Sequence, residues 1–352
     1  MDKDLLDLYS DYLLSSFGPT TATGLSALLD GQVSHDQVTR FLSQETYTSK
    51  TLWQQVKPML RSIEGNEGVL IFDDTIQAKP HTDENELICW HFDHSQNRSV
   101  KGINLLNCVY QINDLTIPVA FELVRKPLVF SDPETGQAKR KSAVTKNKLL
   151  RSMLGTCQHN QINYRYVLAD SWFSAKENLT FIRHRLDKHF IVALKANRTV
   201  ALSKEDKLQG RFTRIDALPW SEEVPQLGWI KGLDFPVLLH RQVFTNKDGS
   251  TGTLYLACSD LDRQALCIET IYQKRWKVEV FHKTLKSDAA LAKSPTKRVR
   301  TQSKHVFMAL YAAFRIECLR VRHHMKHFAL RAQLYMKAIR TAFDELQKLK
   351  TA

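Results

Sequence analysis

Two short apolar runs constrain this chain most, because each ends abruptly on aspartate. Residues 69–72 (Val-Leu-Ile-Phe) lead into Asp73-Asp74-Thr75, and residues 164–169 (Tyr-Arg-Tyr-Val-Leu-Ala) lead into Asp170-Ser-Trp-Phe-Ser174. Short runs rich in β-branched and aromatic residues read as buried strands. A carboxylate at the tip of a buried strand is costly unless it is paired or binds something. Residues 102–112 and 115–124, joined by Asn113-Asp114, predict a β-hairpin. Residues 143–158 predict a helix that turns Leu149, Leu150, Met153 and Leu154 inward. A second helix is predicted over 175–186 and a further strand over 190–194.

The stretch from Tyr272 to Lys286 holds neither Pro nor Gly and reads as one helix. Each residue turns about 100°. With Glu279 at zero, Tyr272, Arg275 and Lys286 fall within roughly 40° of it. Ile271, Val278 and Leu285 flank this stripe on one side, and Trp276 and Val280 on the other. Lys274, Lys277 and Thr284 project behind. A polar line between apolar shoulders is expected to lie against the protein beside a cleft. Glu279 must then be paired, with Arg275 or Lys286, or hold a metal. A purely structural ion-pair helix is the alternative at this point.

The spacing Y-x2-R-x3-E-x6-K resembles the signature of a large branch of DDE transposases from bacterial insertion sequences. The order strand–Asp73, hairpin, helix, strand–Asp170, helix, strand, β-rich segment, helix with Glu279 resembles their RNase H-like catalytic domain over roughly residues 65–300. The resemblance implies an α/β fold: an RNase H-like mixed sheet flanked by helices, with a β-rich insertion and helical N- and C-terminal regions. It implies that Asp73, Asp170 and Glu279 are catalytic and ligate Mg²⁺ or Mn²⁺, two ions per site, for which carboxylate oxygens are suitable hard ligands. The family's D-x-T pattern maps onto Asp73-Asp74-Thr75 and favours Asp73, with Asp74 as the alternative first ligand. Tyr272, Arg275 and Lys286 would hold a DNA end. Trp220 and Trp229 lie in the insertion, where relatives carry an aromatic that stacks on a flipped base; Trp172, two residues after Asp170, reads as packing. The implied activity is binding of terminal inverted repeats, metal-dependent phosphodiester hydrolysis and transfer of the 3′-ends to target DNA, with a hairpin at the cut end in relatives. The partners would be double-stranded DNA and a second copy of the chain on it. A site-specific nuclease of the same fold is the enzymatic alternative. A catalytically retired DNA-binding protein is the other, and the complete set of motif residues argues against it.

The remaining sequence divides into residues 1–64, helical and DNA-binding; 65–300, catalytic, with an insertion over 196–262; and 301–352, helical and basic. Residues 20–31 and 34–43 resemble a helix-turn-helix, with Gly31 ending the first helix and Ser34 and Gln37 forming a capping box. Arg40 and nearby hydroxyls would then meet DNA. His91, Asp93 and His94 lie in and beside a short predicted strand over 87–92. No further His or Cys follows at finger spacing, so packing or DNA-backbone roles are expected rather than a zinc site. Residues 130–141, with Pro133 and Gly136, predict a polar, basic loop. Residues 235–244 and 253–259 flank a predicted turn over 246–249. Residues 302–350 are helical, with Arg320, Arg322, His323, His324 and Lys326 as a basic group.

A net charge of +13 and a pI of about 9.4 point to a polyanionic partner. Six cysteines without a C-x-x-C fit free thiols in a reducing cytoplasm. The start Met-Asp-Lys-Asp lacks the pattern of a secretory leader. No apolar run reaches transmembrane length. The expected location is the bacterial cytoplasm, at the nucleoid when bound to DNA.

Overall fold

The computed structural model describes residues 3–94, 96–221, 224–246 and 248–351. Met1 and Asp2 of the N-terminal stretch, and Lys247 of the turn expected over 246–249, lie outside them. Four helices open the chain: α1 (Lys3–Ser15), α2 (Ala22–Leu28), α3 (His35–Gln44) and α4 (Ser49–Ile63). Between α2 and α3 the backbone takes positive φ at Asp30 (50°) and Gly31 (77°), which a glycine adopts without strain. The capping box forms: Ser34 Oγ accepts from Gln37 N at 3.2 Å, and Gln37 Oε1 accepts from Ser34 N at 2.8 Å.

Next come β1 (Val69–Ala78), β2 (Cys89–Asp93), β3 (Arg98–Ile112) and β4 (Leu115–Leu123). They are followed by β5 (Leu128–Ser131), β6 (Ala138–Lys141), α5 (Lys146–His159), β7 (Tyr166–Ala169), α6 (Lys176–Thr180) and β8 (His189–Leu194). A π-helical turn (Phe181–Arg185) extends α6. Strands β4, β3, β1, β7 and β8 stand side by side in that order. β3 runs antiparallel to β1 and β4, whereas β7 is parallel to both β1 and β8. This is the RNase H-like arrangement expected from sequence, a mixed sheet with helices against it.

The loop expected over 130–141 is instead largely ordered as an antiparallel ribbon of β5 and β6. Its turn is stabilised by Asp132, whose Oδ1 accepts from the backbone N–H of Glu134 (3.1 Å) and Thr135 (2.9 Å), and by Gly136 at φ 67°.

The β-rich insertion comprises β9 (Thr199–Ala201), α7 (Lys204–Leu208), β10 (Thr213–Arg214), β11 (Gln226–Ile230), β12 (Val237–Thr245) and β13 (Thr251–Cys258). It extends the main sheet: β13 pairs with β8, and β12, β11, β9 and β10 follow outward. The chain ends in α8 (Ala265–Gln273), α9 (Trp276–Ser287), α10 (Val299–His323) and α11 (His327–Thr351).

The first half of α10 is buried on all sides, as a helix is when neighbours surround it. Its Lys304 is only 2% exposed; Nζ donates to the Phe41 carbonyl and sits over the rings of Phe41 (4.0 Å) and Tyr47 (4.2 Å). Burial lowers its pKa to about 8. One hydrophobic core runs from α1 through the sheet to α10, so residues 1–64, 65–300 and 301–352 all contribute to it. No helix among the described residues is long and apolar enough to cross a membrane.

Gly102 fixes how closely β3 approaches β1. A Cβ there would lie 2.2 Å from the Gln77 carbonyl oxygen. Gly102→Ala is expected to destabilise the protein by roughly 1–3 kcal/mol, the usual cost of overpacking, read as a lower urea midpoint with an unchanged slope.

Candidate active site

Parallel pairing of β1 with β7 sets Phe72 opposite Ala169. The next residue along each is an aspartate, so Asp73 and Asp170 stand at the same level; β1 does not end at Asp73 as expected but runs on to Ala78, whereas Asp170 follows the end of β7. Successive side chains alternate across a strand, which sends Asp73 and Asp74 different ways. Asp74 is engaged by Lys146 Nζ at the start of α5 (2.9 Å) and by Asn104 Nδ2 of β3 (2.7 Å). Asp73 turns to Arg275, whose Nη1 lies 3.8 Å from Oδ2. Asp170 accepts from the backbone N–H of Trp172 at 3.0 Å and caps a short 3-10 turn, Ser171–Phe173.

Burial raises the pKa of Asp73 to about 7. The charge of Asp170 adds to the rise, Arg275 opposes it, and Asp74 raises it further. Asp170 is also raised, chiefly by burial. Two carboxylates forced together in a partly dry site cannot both ionise easily.

The stretch from Tyr272 to Lys286 departs from the single helix expected. α8 ends at Gln273 and α9 begins at Trp276. Across the junction the bonds run to the third residue back: Lys274 N to Ile271 O (3.2 Å), Arg275 N to Tyr272 O (2.9 Å) and Lys277 N to Lys274 O (3.0 Å). Such tightened turns have about three residues each rather than 3.6, so the spacing of Tyr272 from Glu279 is no longer that of one regular helix. It is 6% exposed and its hydroxyl donates to the Ala169 carbonyl at 3.4 Å. Val278 and Leu285 are buried, but Trp276 and Val280, expected as the second apolar shoulder, are 61% and 58% exposed. No Pro or Gly marks the junction, so residue types did not announce it.

Arg275 stays on the line. Its Nη2 donates to Glu279 Oε1 at 2.8 Å, so one guanidinium reaches both Asp73 and Glu279. Its Nε is buried with no hydrogen-bond partner. Lys286 Nζ donates to the Ile76 carbonyl at 3.0 Å, and burial lowers its pKa. His282, one turn beyond Glu279, meets Asn107 Nδ2 at 2.9 Å, and burial lowers its pKa to about 3. Asp73, Asp74, Asp170, Glu279, His282 and Lys286 line one cleft of about 390 Å³, with Asp93 and His94 at another wall.

Among the described residues no three His, Cys, Asp or Glu side chains stand together as a ready metal site. The donor set nonetheless fits a hard divalent cation. Asp73 and Asp170 offer side-by-side carboxylates, and Asn107 Oδ1, on the residue opposite Asp73, is buried with no hydrogen-bond partner among the described residues. Glu279, turned to Arg275, is the remaining carboxylate on the cleft wall facing β1.

Other residues singled out in the sequence lie elsewhere. Arg40 is exposed on α3. Trp220 Nε1 donates to the Ile215 carbonyl at 3.0 Å and its ring packs 5.6 Å from Tyr255. Trp229 sits on β11, opposite Ala201. β11 is four strands from β7, roughly 19 Å at the usual strand spacing. His91 is buried against Cys89 Sγ at 3.3 Å and packs, whereas Asp93 and His94 reach the cleft.

Asn104, Asn107, Lys146 and His282 were missed. The two asparagines carried a usable signal: buried amides inside an apolar strand need partners.

A sequence profile described as DDE superfamily endonuclease matches residues 2–215, a span that holds Asp73 and Asp170 and stops before Glu279. No curated protein matches the chain. Among solved structures, a chain of the Drosophila P element transposase strand transfer complex aligns at 12% identity over 52% of this chain and 36% of that one, with a TM-score of 0.27. The chain thus spans about a third of that solved chain, and so slight a likeness carries no argument. The profile covers more than half of the sequence, and on that ground the chain belongs to the DDE superfamily endonuclease family.

Proposed function

We propose that this endonuclease-family chain is a DNA transposase. It binds the terminal inverted repeats of an insertion sequence, cleaves them and transfers the 3′-ends to target DNA. The observation that carries the reading is the placement of Asp73 and Asp170 at the same level on adjacent parallel strands, with Glu279 on the facing helix. Asp73, Asp170 and Glu279 would hold Mg²⁺ or Mn²⁺, probed as two ions per site. When bound, such ions activate the attacking oxygen and stabilise the leaving one.

The chain's own residues supply the rest. Lys146 and Asn104 engage Asp74, which supports Asp73 rather than Asp74 as the ligand. Arg275 lies between Asp73 and Glu279; once those carboxylates are committed to cations, its planar fork can donate to a phosphate. Lys286 adds a point charge at the cleft wall. The buried Tyr272 hydroxyl, bound to Ala169, supports a role in fixing the strand tip before Asp170 rather than in touching DNA. Hydrolysis forms a bond from water oxygen to phosphorus and releases the 3′-oxygen as a hydroxyl. In strand transfer that hydroxyl attacks a target phosphodiester instead. Pairing two ends requires a second copy of the chain on DNA.

The test is incubation with DNA carrying the inverted repeats that flank the coding region, with Mg²⁺, followed by mapping of cut strands. Cuts at the repeat ends joined to target DNA support transposition. Site-specific cuts with no joined product favour the nuclease alternative. Absence of any cut refutes both.

Binding is also expected to weaken steeply with salt. On duplex DNA each neutralised phosphate contributes a log–log slope of roughly −0.9. Given the +13 charge, a slope near zero in a fluorescence-anisotropy titration would contradict DNA as the partner.

A further inference from the structure

Trp172, expected to pack, is 43% exposed beside Asp170. Lys146 Nζ lies 5.1 Å and Lys195 Nζ 5.6 Å from the centre of its ring. His94 approaches the same ring at 5.3 Å, and Phe92 approaches His94 at 4.9 Å. These rings form a ledge from the carboxylate cleft to a neighbouring cavity of about 290 Å³, lined by Trp172, Asn147, Ser174, Lys195, Asn197 and Arg198 among others. Among the described residues no acidic side chain lines that cavity. Arg198 donates from Nη2 to the Ser174 carbonyl at 3.3 Å, and its Nε is buried with no hydrogen-bond partner among the described residues. A half-buried guanidinium, a lysine and an open indole face make a site for a group that is both flat and anionic.

We propose that this cavity is a subsite for one unpaired nucleotide of the DNA strand leaving the carboxylate cleft, with the base stacked on Trp172 and its phosphate held by Lys195 and Arg198. The inference rests on DNA being the substrate. Stacking on an exposed aromatic tolerates any base, and cations beside the ring follow the backbone. A duplex cannot offer a base face without unstacking, so the subsite selects strands that are already unpaired or are opened at the cut end. The cavity volume, at the low end for ligand sites, suits a single nucleotide. It also differs from the two insertion tryptophans, which are engaged within the sheet extension.

The experiment compares two labelled duplexes at one salt concentration, one blunt and one with a short single-stranded extension carrying 2-aminopurine. Wild-type chain is expected to quench 2-aminopurine emission on binding. Trp172→Ala should abolish the quench and weaken binding of the extended duplex roughly 5- to 100-fold beyond any loss on the blunt one. Trp172→Phe, which keeps a stacking face, should restore most of both, a rescue that a merely structural role would not give. Lys195→Ala should lower the salt slope on the extended duplex by about one. An undiminished quench in Trp172→Ala, or equal losses on both duplexes, overturns the subsite while DNA binding stands. Failure of the wild-type chain to bind either duplex overturns the DNA reading, and the subsite with it.

Discussion

Alanine at Asp73, Asp170 or Glu279 is expected to reduce cleavage of end DNA to background, with binding of that DNA largely retained. Each variant removes a carboxylate that would ligate metal, and none removes a cation. Asp74→Asn is expected to behave differently. Its carboxylate is held by Lys146 and Asn104, so it acts on Asp73 only at one remove. Changes of that kind typically cost about 10- to 100-fold in activity or metal affinity. The measurement is the single-turnover cleavage rate of each variant, with Mn²⁺ affinity by calorimetry as an independent readout. Cleavage near the wild-type rate in Glu279→Ala would remove α9 from the site. Complete loss in Asp74→Asn together with full activity in Asp73→Ala would exchange the two aspartates.

Much of this arrangement was legible because strand tips are local features. Four apolar residues before Asp73 and the run before Asp170 state both strands, although β1 runs on past Asp73 to Ala78 rather than stopping there. Parallel pairing then brings the two aspartates side by side. The preference for Asp73 over Asp74 came from the resemblance to a D-x-T pattern; in the structure Asp74 is engaged by Lys146. The helix carrying Glu279 was harder. Its residues have good helix propensity throughout, yet a tightened junction at Lys274 and Arg275 sends Tyr272 into the core. Tertiary contacts decide such a junction, here a guanidinium drawn toward Asp73 and Glu279 and a phenol drawn under β7. The exposure of Trp172 was not foreseen for a related reason. Proximity to a strand tip suggests burial, but the short turn capped by Asp170 turns the indole outward. The insertion's edge-on continuation of the sheet was likewise invisible, since strand pairing between distant segments leaves no local mark.

Asp73→Asn is expected to stabilise the metal-free protein, and more so as pH rises. In the folded chain Asp73 has a pKa of about 7; in the unfolded chain it returns to about 3.9. Between these values the folded state holds a proton that the unfolded state has released, so raising the pH erodes stability through this group and the loss is complete above the folded pKa. The sign is opposite to that of a salt-bridged carboxylate, because burial and Asp170 outweigh Arg275 here. At about 1.4 kcal/mol per pH unit, the difference between pH 5 and pH 8 amounts to roughly 2–3 kcal/mol. Asparagine carries no charge at either pH, so the variant should gain by that amount on going from pH 5 to pH 8. The comparison is of urea midpoints for wild type and variant in the presence of a chelator. A pH-independent difference would mean that Asp73 does not carry the burden of the paired carboxylates. Restoring Mg²⁺ at pH 8 should raise the wild-type midpoint, because a ligand that binds only the folded state stabilises it by mass action, and should raise that of Asp73→Asn much less. A site that is destabilising when empty and relieved by a cation is the signature expected of carboxylates kept together for metal binding rather than for the fold.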